Sequence, residues 1–268
     1  MPVVHHVTSF NLPELQPYRT LRRPKEHLDK RIFVAEGEKV VRRILASKLP
    51  VVSLLVSNEW LTRLSSEIQS LPPDVFVADM GLLETIVGFR MHQGIMAVGQ
   101  VPPEPILEDL IQLSPPPKLF AAVDGLVFAE NVGAIVRNCA AFGVQGIVVG
   151  ATSASPYLRR AVRNSMGTVF QIPVIHTAAL LDTLMTLRFR HKISIIIADA
   201  HTHTSLYEVN YRNDICFVFG NEENGVSEAV RSAETHSIGI PMKEGVDSLN
   251  VASASAVILS EVARQRMT

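Results

Sequence analysis

The chain reads as an α/β protein with a largely parallel sheet, built in two domains. Three observations predict this. Short apolar runs of strand length alternate with helical stretches along most of the 268 residues. Strands separated by helices need crossover connections, and crossovers make parallel neighbours. Prolines cluster at Pro102, Pro103 and Pro105 and again at Pro115, Pro116 and Pro117, cutting the alternation into two blocks, because proline continues neither a helix nor a strand ladder. In the second block, apolar runs lead into glycine-bearing polar turns and then helix starts. That order sets ligand loops at the carboxyl ends of parallel strands.

In the first block, residues 1–101, Arg31 to Val34 reads as a strand and Glu36 to Ser47 as a helix. Val51 to Val56 follows as a strand and Asn58 to Ser66 as a helix, and Val75 to Ala78 with Ile95 to Val101 completes a small layer. Residues 102–117 read as a semi-rigid linker holding a short helix over Ile106 to Leu113. The second block, 118–268, has strands near Leu119 and over Gly146 to Val149, Val169 to Val174, Ile193 to Ala198, Ile215 to Phe219 and Ser237 to Ile240. General topology rules predict an unknotted, doubly wound sheet.

Composition narrows the function classes. Hydrophobic residues make up 47% and charged residues 19%, enough to build a core and too apolar for a disordered chain. No apolar run approaches the ~20 residues of a bilayer-spanning helix. Met1-Pro-Val-Val-His-His lacks the basic-then-apolar pattern of a secretion signal, so a cytoplasmic protein is expected. Cys139 and Cys216 stand apart, which gives neither a disulfide framework nor a Cys-x-x-Cys metal site. The net charge of -1 hides an uneven distribution, with ten Lys and Arg against four Asp and Glu between Arg19 and Lys48. Such an excess supplies phosphate contacts even in a neutral chain. Arg22, Arg23, Lys25 and Lys39 are its candidates for nucleic-acid binding, and a solvated helix face is the plain alternative.

Three segments carry candidate chemistry. Asn131-Val-Gly-Ala-Ile-Val-Arg137 follows the apolar run Leu119 to Val123, and Phe217-Val-Phe-Gly-Asn-Glu-Glu-Asn-Gly225 runs from strand to polar turn. Ile240-Pro-Met-Lys-Glu-Gly-Val-Asp-Ser-Leu-Asn250 leads into a helix of small residues. Ser248 or Asn250 caps that helix by accepting from its unpaired N–H groups. Gly220 and Gly225 have phosphate-loop spacing, but Val226 and Ser227 stand where Lys and Ser or Thr belong, which argues against a nucleotide triphosphatase. No Gly-x-Gly-x-x-Gly opens a helix, so the dinucleotide fingerprint is also missing. Asp199-Ala-His-Thr-His203 is the one cluster with metal-ligand residue types. It supports a metal-dependent hydrolase as runner-up, although no further ligand stands at a convincing spacing and a polar loop is favoured.

In order and in content, the three segments resemble the motifs of the SpoU (TrmH) family of RNA ribose 2′-O-methyltransferases. The resemblance implies a SPOUT-type catalytic domain with a deep trefoil knot, a homodimer, S-adenosylmethionine as cofactor and no metal. It makes Asn131, Arg137, Glu222, Ser248 and Asn250 the catalytic candidates. Gly220, Ile240 and Leu249, with Ala198 and Met242, become the cofactor contacts. Arg163 and Ser165, in Arg163-Asn-Ser-Met-Gly167, become RNA contacts. A guanidinium stays protonated at ordinary pH, so Arg137 is expected to position phosphate and stabilise the developing oxyanion. The acceptor of the hydroxyl proton is not identified. Phe33-Val-Ala-Glu-Gly-Glu-Lys39 and Met91-His-Gln-Gly-Ile-Met-Ala-Val98 resemble an RNA-binding domain of the ribosomal-protein L30e type. That domain favours ribosomal RNA over transfer RNA as substrate. A transfer-RNA enzyme and a non-catalytic RNA-binding protein are the remaining alternatives.

Overall fold

The computed structural model describes residues 2–64, 72–87 and 94–267. Met1–Pro103 together with Tyr157–Phe170 forms one unit, and Glu104–Pro156 with Gln171–Thr268 forms the other. Among the described residues no helix is long and apolar enough to cross a membrane.

The first unit runs β1 (Val3–His6), α1 (Gln16–Arg19), α2 (Pro24–Asp29), β2 (Ile32–Glu36), α3 (Glu38–Leu45), β3 (Val51–Val56), α4 (Asn58–Arg63), β4 (Asp74–Val77), α5 (Met80–Val87) and β5 (Ile95–Gln100). Its sheet order is β1-β4-β3-β5-β2, with β5 antiparallel to both neighbours and the other pairs parallel. Helix α3 buries Val40, Val41 and Ile44 and leaves Lys39 and Arg43 exposed, as a helical period with one apolar stripe requires. Tyr18 is fully buried; its hydroxyl lies 2.9 Å from Ser53 Oγ and donates to the Ser53 carbonyl at 3.1 Å. Strand β1 is the element the sequence did not predict. Most of it is exposed, so it lacks the alternation that marks a half-buried strand. Residues 65 and 66 of the expected Asn58–Ser66 helix, and 91–93 of the second L30e-like segment, lie outside the described residues.

The second unit begins with α6 (Leu107–Leu113), followed by β6 (Leu119–Val123), α7 (Ala129–Ala141) and β7 (Gly146–Gly150). The chain then contributes α8 (Arg159–Asn164) to the first unit. It returns as β8 (Val174–Thr177), α9 (Leu180–His191), β9 (Ser194–Ala198), β10 (Ile215–Phe219), α10 (Glu228–Arg231), β11 (His236–Ile238) and α11 (Val251–Arg266). The six strands lie in the order β11-β9-β10-β6-β7-β8, and every pair is parallel. Strands β6, β7 and β10 are buried throughout, which is why they read as continuous apolar runs rather than alternating ones.

Four local expectations change. Residues 102–117 are not simply a linker, because Leu110 and Ile111 of α6 join the second unit's core. The strand expected over Val169 to Val174 is instead a 3-10 turn at Thr168–Phe170 with β8 starting at Val174; Pro173 between them has no N–H to donate to a ladder. The strand expected to reach Ile240 stops at Ile238, which leaves Ile240 free for a loop. Asn131 and Gly133 lie inside α7 rather than in a turn before it.

The small residues of α11 have a packing reason. Ser255 is fully buried, and Asn138 of α7 donates to the Ala252 carbonyl at 2.8 Å and to Ser255 Oγ at 2.9 Å. Larger side chains there would hold α7 away. At the other end of α11, the Arg266 guanidinium donates to the carbonyls of Tyr211, Pro117, Lys118 and Asn213 at 2.6–3.1 Å. It pins the helix to the segments that start β6 and β10.

Candidate active site

Strands β11, β9 and β10 are neighbours, and all end on the same side because the sheet is parallel. The loops leaving their carboxyl ends, with the first turns of α11, enclose a cavity of about 430 Å³. All five cofactor candidates, Ala198, Gly220, Ile240, Met242 and Leu249, line it. So do Glu222, Ser248 and Asn250. This is the crevice where open parallel sheets hold ligands, and its size suits a small-molecule site.

The β10 loop is closed on itself. Asn221 N–H donates to the Gly225 carbonyl at 2.8 Å and Gly225 N–H returns to Asn221 at 2.9 Å. Gly225 has φ of +68°, and a Cβ on Gly220 would stand 2.2 Å from the carbonyl carbon of Gly225. The sequence suggests a glycine left bare for a cofactor, yet the chain's own return already requires it.

One hydrogen-bonded line joins all three segments. Asn250 is the N-cap of α11, its Oδ1 accepting from the N–H groups of Ala252 at 2.9 Å and Ser253 at 3.4 Å. Backbone N–H can only donate, so the amide oxygen must face the helix. Nδ2 of Asn250 is thereby turned to Asn131 Oδ1, at 3.1 Å. That in turn leaves Asn131 Nδ2 to donate to Glu222 Oε1, at 2.9 Å. The helix N-terminus sets both amide orientations, and the line ends on a carboxylate, an acceptor. Glu222 Oε2 is buried without a partner among the described residues.

Arg137 stands apart. It is exposed and does not line the cavity. Six residues from Asn131 is about 240° further round a helix, whereas Asn138, at about 340°, returns to the Asn131 face and meets α11. Among the described residues Arg137 has neither a hydrogen bond nor an ion pair.

The RNA candidates lie in the first unit. Arg22, Arg23, Lys25, Lys39 and Arg163 are exposed. Arg23 pairs with Glu26 at 3.1 Å. Glu36 takes Arg159 at 2.6 Å and Arg163 at 3.8 Å. Ser165 is a correction: it is fully buried, donating to the Val162 carbonyl at 2.8 Å and accepting from Gly167 N–H at 3.2 Å. Its hydroxyl closes the end of α8 and is not presented to a ligand.

The metal cluster does not assemble. His201 and His203 lie in the loop after β9. The Asp199 carboxylate is held by Arg231 at 2.8 Å and by the His201 N–H at 2.9 Å. Burial pushes the Asp199 carboxyl up, but those two donors outweigh it and hold it below its ordinary value. Among the described residues no three His, Cys, Asp or Glu side chains group to hold a metal.

The family model for the SpoU rRNA methylase family matches residues 118–260, the stretch that builds the cavity. The chain belongs to that family. Among its relatives is an uncharacterized tRNA/rRNA methyltransferase of Mycobacterium bovis, 30% identical over 94% of this chain and 89% of the relative. Another, from Mycobacterium tuberculosis, is 33% identical over 91% of this chain and 78% of the relative. A putative RNA methyltransferase of the TrmH family from Porphyromonas gingivalis is similar in structure, with a TM-score of 0.76 and 28% identity over 93% of this chain and 96% of that one. The SpoU methyltransferase AviRb from Streptomyces viridochromogenes, in complex with AdoMet, shares the fold with a TM-score of 0.84, at 22% identity over 96% and 99% of the two chains. Family membership makes the protein an RNA methyltransferase.

Proposed function

We propose that the protein transfers a methyl group from S-adenosylmethionine to a ribose 2′-oxygen in ribosomal RNA. In this reading it works as a homodimer, and its catalytic unit carries the family's knot. The observation that carries the proposal is the cavity at the ends of β9, β10 and β11, where three separate segments meet through Asn131, Glu222 and Asn250.

The lining fits that cofactor. Ile240, Met242 and Leu249 offer apolar walls for an adenine ring, and the β10 loop offers backbone at close range. A carboxylate oxygen at Glu222, without a partner among the described residues, stands ready for a donor or a positive charge. When bound, S-adenosylmethionine supplies an activated methyl group on a positively charged sulfur. The chain's own work is positioning. The capped α11 and the closed β10 loop hold the walls still, and alignment of reacting atoms is worth on the order of 7 kcal/mol or more at best. Arg137, exposed and without a partner among the described residues, has five N–H donors to offer a phosphate or a developing oxyanion. The exposed basic residues of the first unit supply phosphate contacts for a structured RNA.

The test is transfer from labelled S-adenosylmethionine to ribosomal and transfer RNA, with 2′-O-methylation mapped by resistance to alkaline cleavage. Arg137→Ala is expected to abolish transfer while cofactor affinity stays within about three-fold. Equal loss of both would contradict the role, and transfer to transfer RNA alone would contradict the substrate class.

A further inference from the structure

We infer that the Glu222 carboxylate accepts the proton lost by the substrate hydroxyl. This rests on the methyltransferase reading above and names a residue for the one step that reading leaves unassigned.

The geometry singles Glu222 out. Its Oε1 is fixed by Asn131 Nδ2 at 2.9 Å, and the orientation of that amide is dictated through Asn250 by the N-terminus of α11. Its Oε2 is shielded from solvent with no donor among the described residues, in a residue that lines the cavity. A buried carboxylate oxygen without a partner is costly and rare outside sites where it has work to do. The terminal torsion of a glutamate is broad, so a small rotation of the whole carboxylate brings Oε2 toward a donor in the cavity and leaves Oε1 within reach of Asn131 Nδ2.

The other groups of the site are poorer acceptors. Asparagine amides take up no proton, and a guanidinium is already protonated. Asp199 is committed to Arg231 and to the His201 N–H. Glu223 and His201 also line the cavity, but both are exposed, so water competes for them and no fixed partner among the described residues aims either side chain.

The step balances. A lone pair of the 2′-oxygen forms the bond to the methyl carbon, and the carbon–sulfur pair leaves with sulfur. The O–H pair stays on oxygen, and the proton passes to Glu222 Oε2. The products are a methyl ether, a neutral thioether and a neutral carboxylic acid, which afterwards loses its proton to water. A carboxylate is a sufficient base because the hydroxyl turns strongly acidic as its oxygen gains the methyl group. One positive and one negative charge disappear together, which the burial of Oε2 favours.

Glu222→Gln is the clean variant, since its carbonyl oxygen still accepts from Asn131 while the proton acceptor is gone. The expected result is affinity for S-adenosylhomocysteine and for RNA within about three-fold of wild type, with single-turnover transfer reduced by roughly 10²–10⁴. Transfer within about five-fold of wild type would overturn the assignment, and so would a loss of cofactor affinity that accounts for the loss of transfer. Glu222→Asp gives a second route that does not depend on the folding of the first variant. With the same group on a shorter stem, it retains at least about ten-fold more transfer than Glu222→Ala; equality of those two would overturn the assignment as well. If the wild type moves no methyl group to RNA, the parent reading fails and this one with it. An active wild type beside an equally active Glu222→Gln sinks only the proton acceptor.

Discussion

The second unit draws all its candidates but Arg137 from distant segments to one cavity and the side chains bonded to it, whereas the first unit leaves its basic candidates exposed and separate. The difference follows from what each kind of ligand asks for. A small cofactor needs enclosed walls held still, which calls for closed loops, a capped helix and a glycine where the backbone folds onto itself. A structured RNA needs phosphate contacts over a wide area, and exposed Lys and Arg on short helices and turns suffice. Substitutions in the second unit should therefore act sharply and together. Those in the first should act weakly and add up.

The sharpest way to break that contrast is Gly220→Ala. The new Cβ lands 2.2 Å from backbone of the returning loop, so the loop must open. Stability should fall by about 3 kcal/mol and cofactor binding should vanish, as thermal unfolding and calorimetric titration would show. Asn250→Ala comes next. It removes the cap of α11, worth about 1 kcal/mol, and leaves Asn131 without its donor, so cofactor affinity should fall alongside the melting temperature.

A third test reads the frame behind the site. Glu261 is buried and receives two hydrogen bonds from Arg264 at 2.7 Å and one from Gln265 at 2.9 Å. The Arg264 bonds, then that from Gln265, pull its carboxyl down to about 2 from 4.5. A depressed carboxyl pKa contributes stability that is complete above its unfolded value and lost as pH falls through the folded one. Wild type should lose this contribution between about pH 4.5 and 2, and Glu261→Gln should flatten that part of the stability profile.

Smaller effects belong to the first unit. Lys39→Ala and Arg22→Ala should each weaken RNA binding modestly and lower the slope of log affinity against log salt by about one. Cofactor affinity should not move, and a large effect from either alone would erase the contrast between the units. Smallest of all is the chelator test. With the Asp199 carboxylate held by Arg231, dialysis against a chelator should leave cofactor affinity unchanged.

Much of this was legible in the residues. The buried strands of the second unit read as apolar runs because both faces are covered, and the closed β10 loop is marked by Gly220 and Gly225. The cap of α11 was visible as Ser248 or Asn250 from their place before a helical run, and the structure chooses Asn250. What escaped was whatever depends on partners distant in sequence. Nothing local shows that Asn131, inside a helix, reaches Glu222 across 91 positions. Ser165 looks like an exposed polar residue until α8 packs on the first unit and buries it. The same packing removes Tyr157–Phe170 from the block that proline spacing drew. Strand β1 was missed because an exposed edge strand has no alternation to read.

The central claim is that the cavity at the ends of β9, β10 and β11 holds S-adenosylmethionine. Calorimetric titration of the wild-type protein and of Leu249→Arg, which pushes a long cation into that cavity from an exposed loop position, tests it most directly. The prediction is saturable binding near one site per chain in the wild type, lost in Leu249→Arg with the melting temperature of the free protein unchanged. Equal binding by both proteins, or none by the wild type, would contradict it.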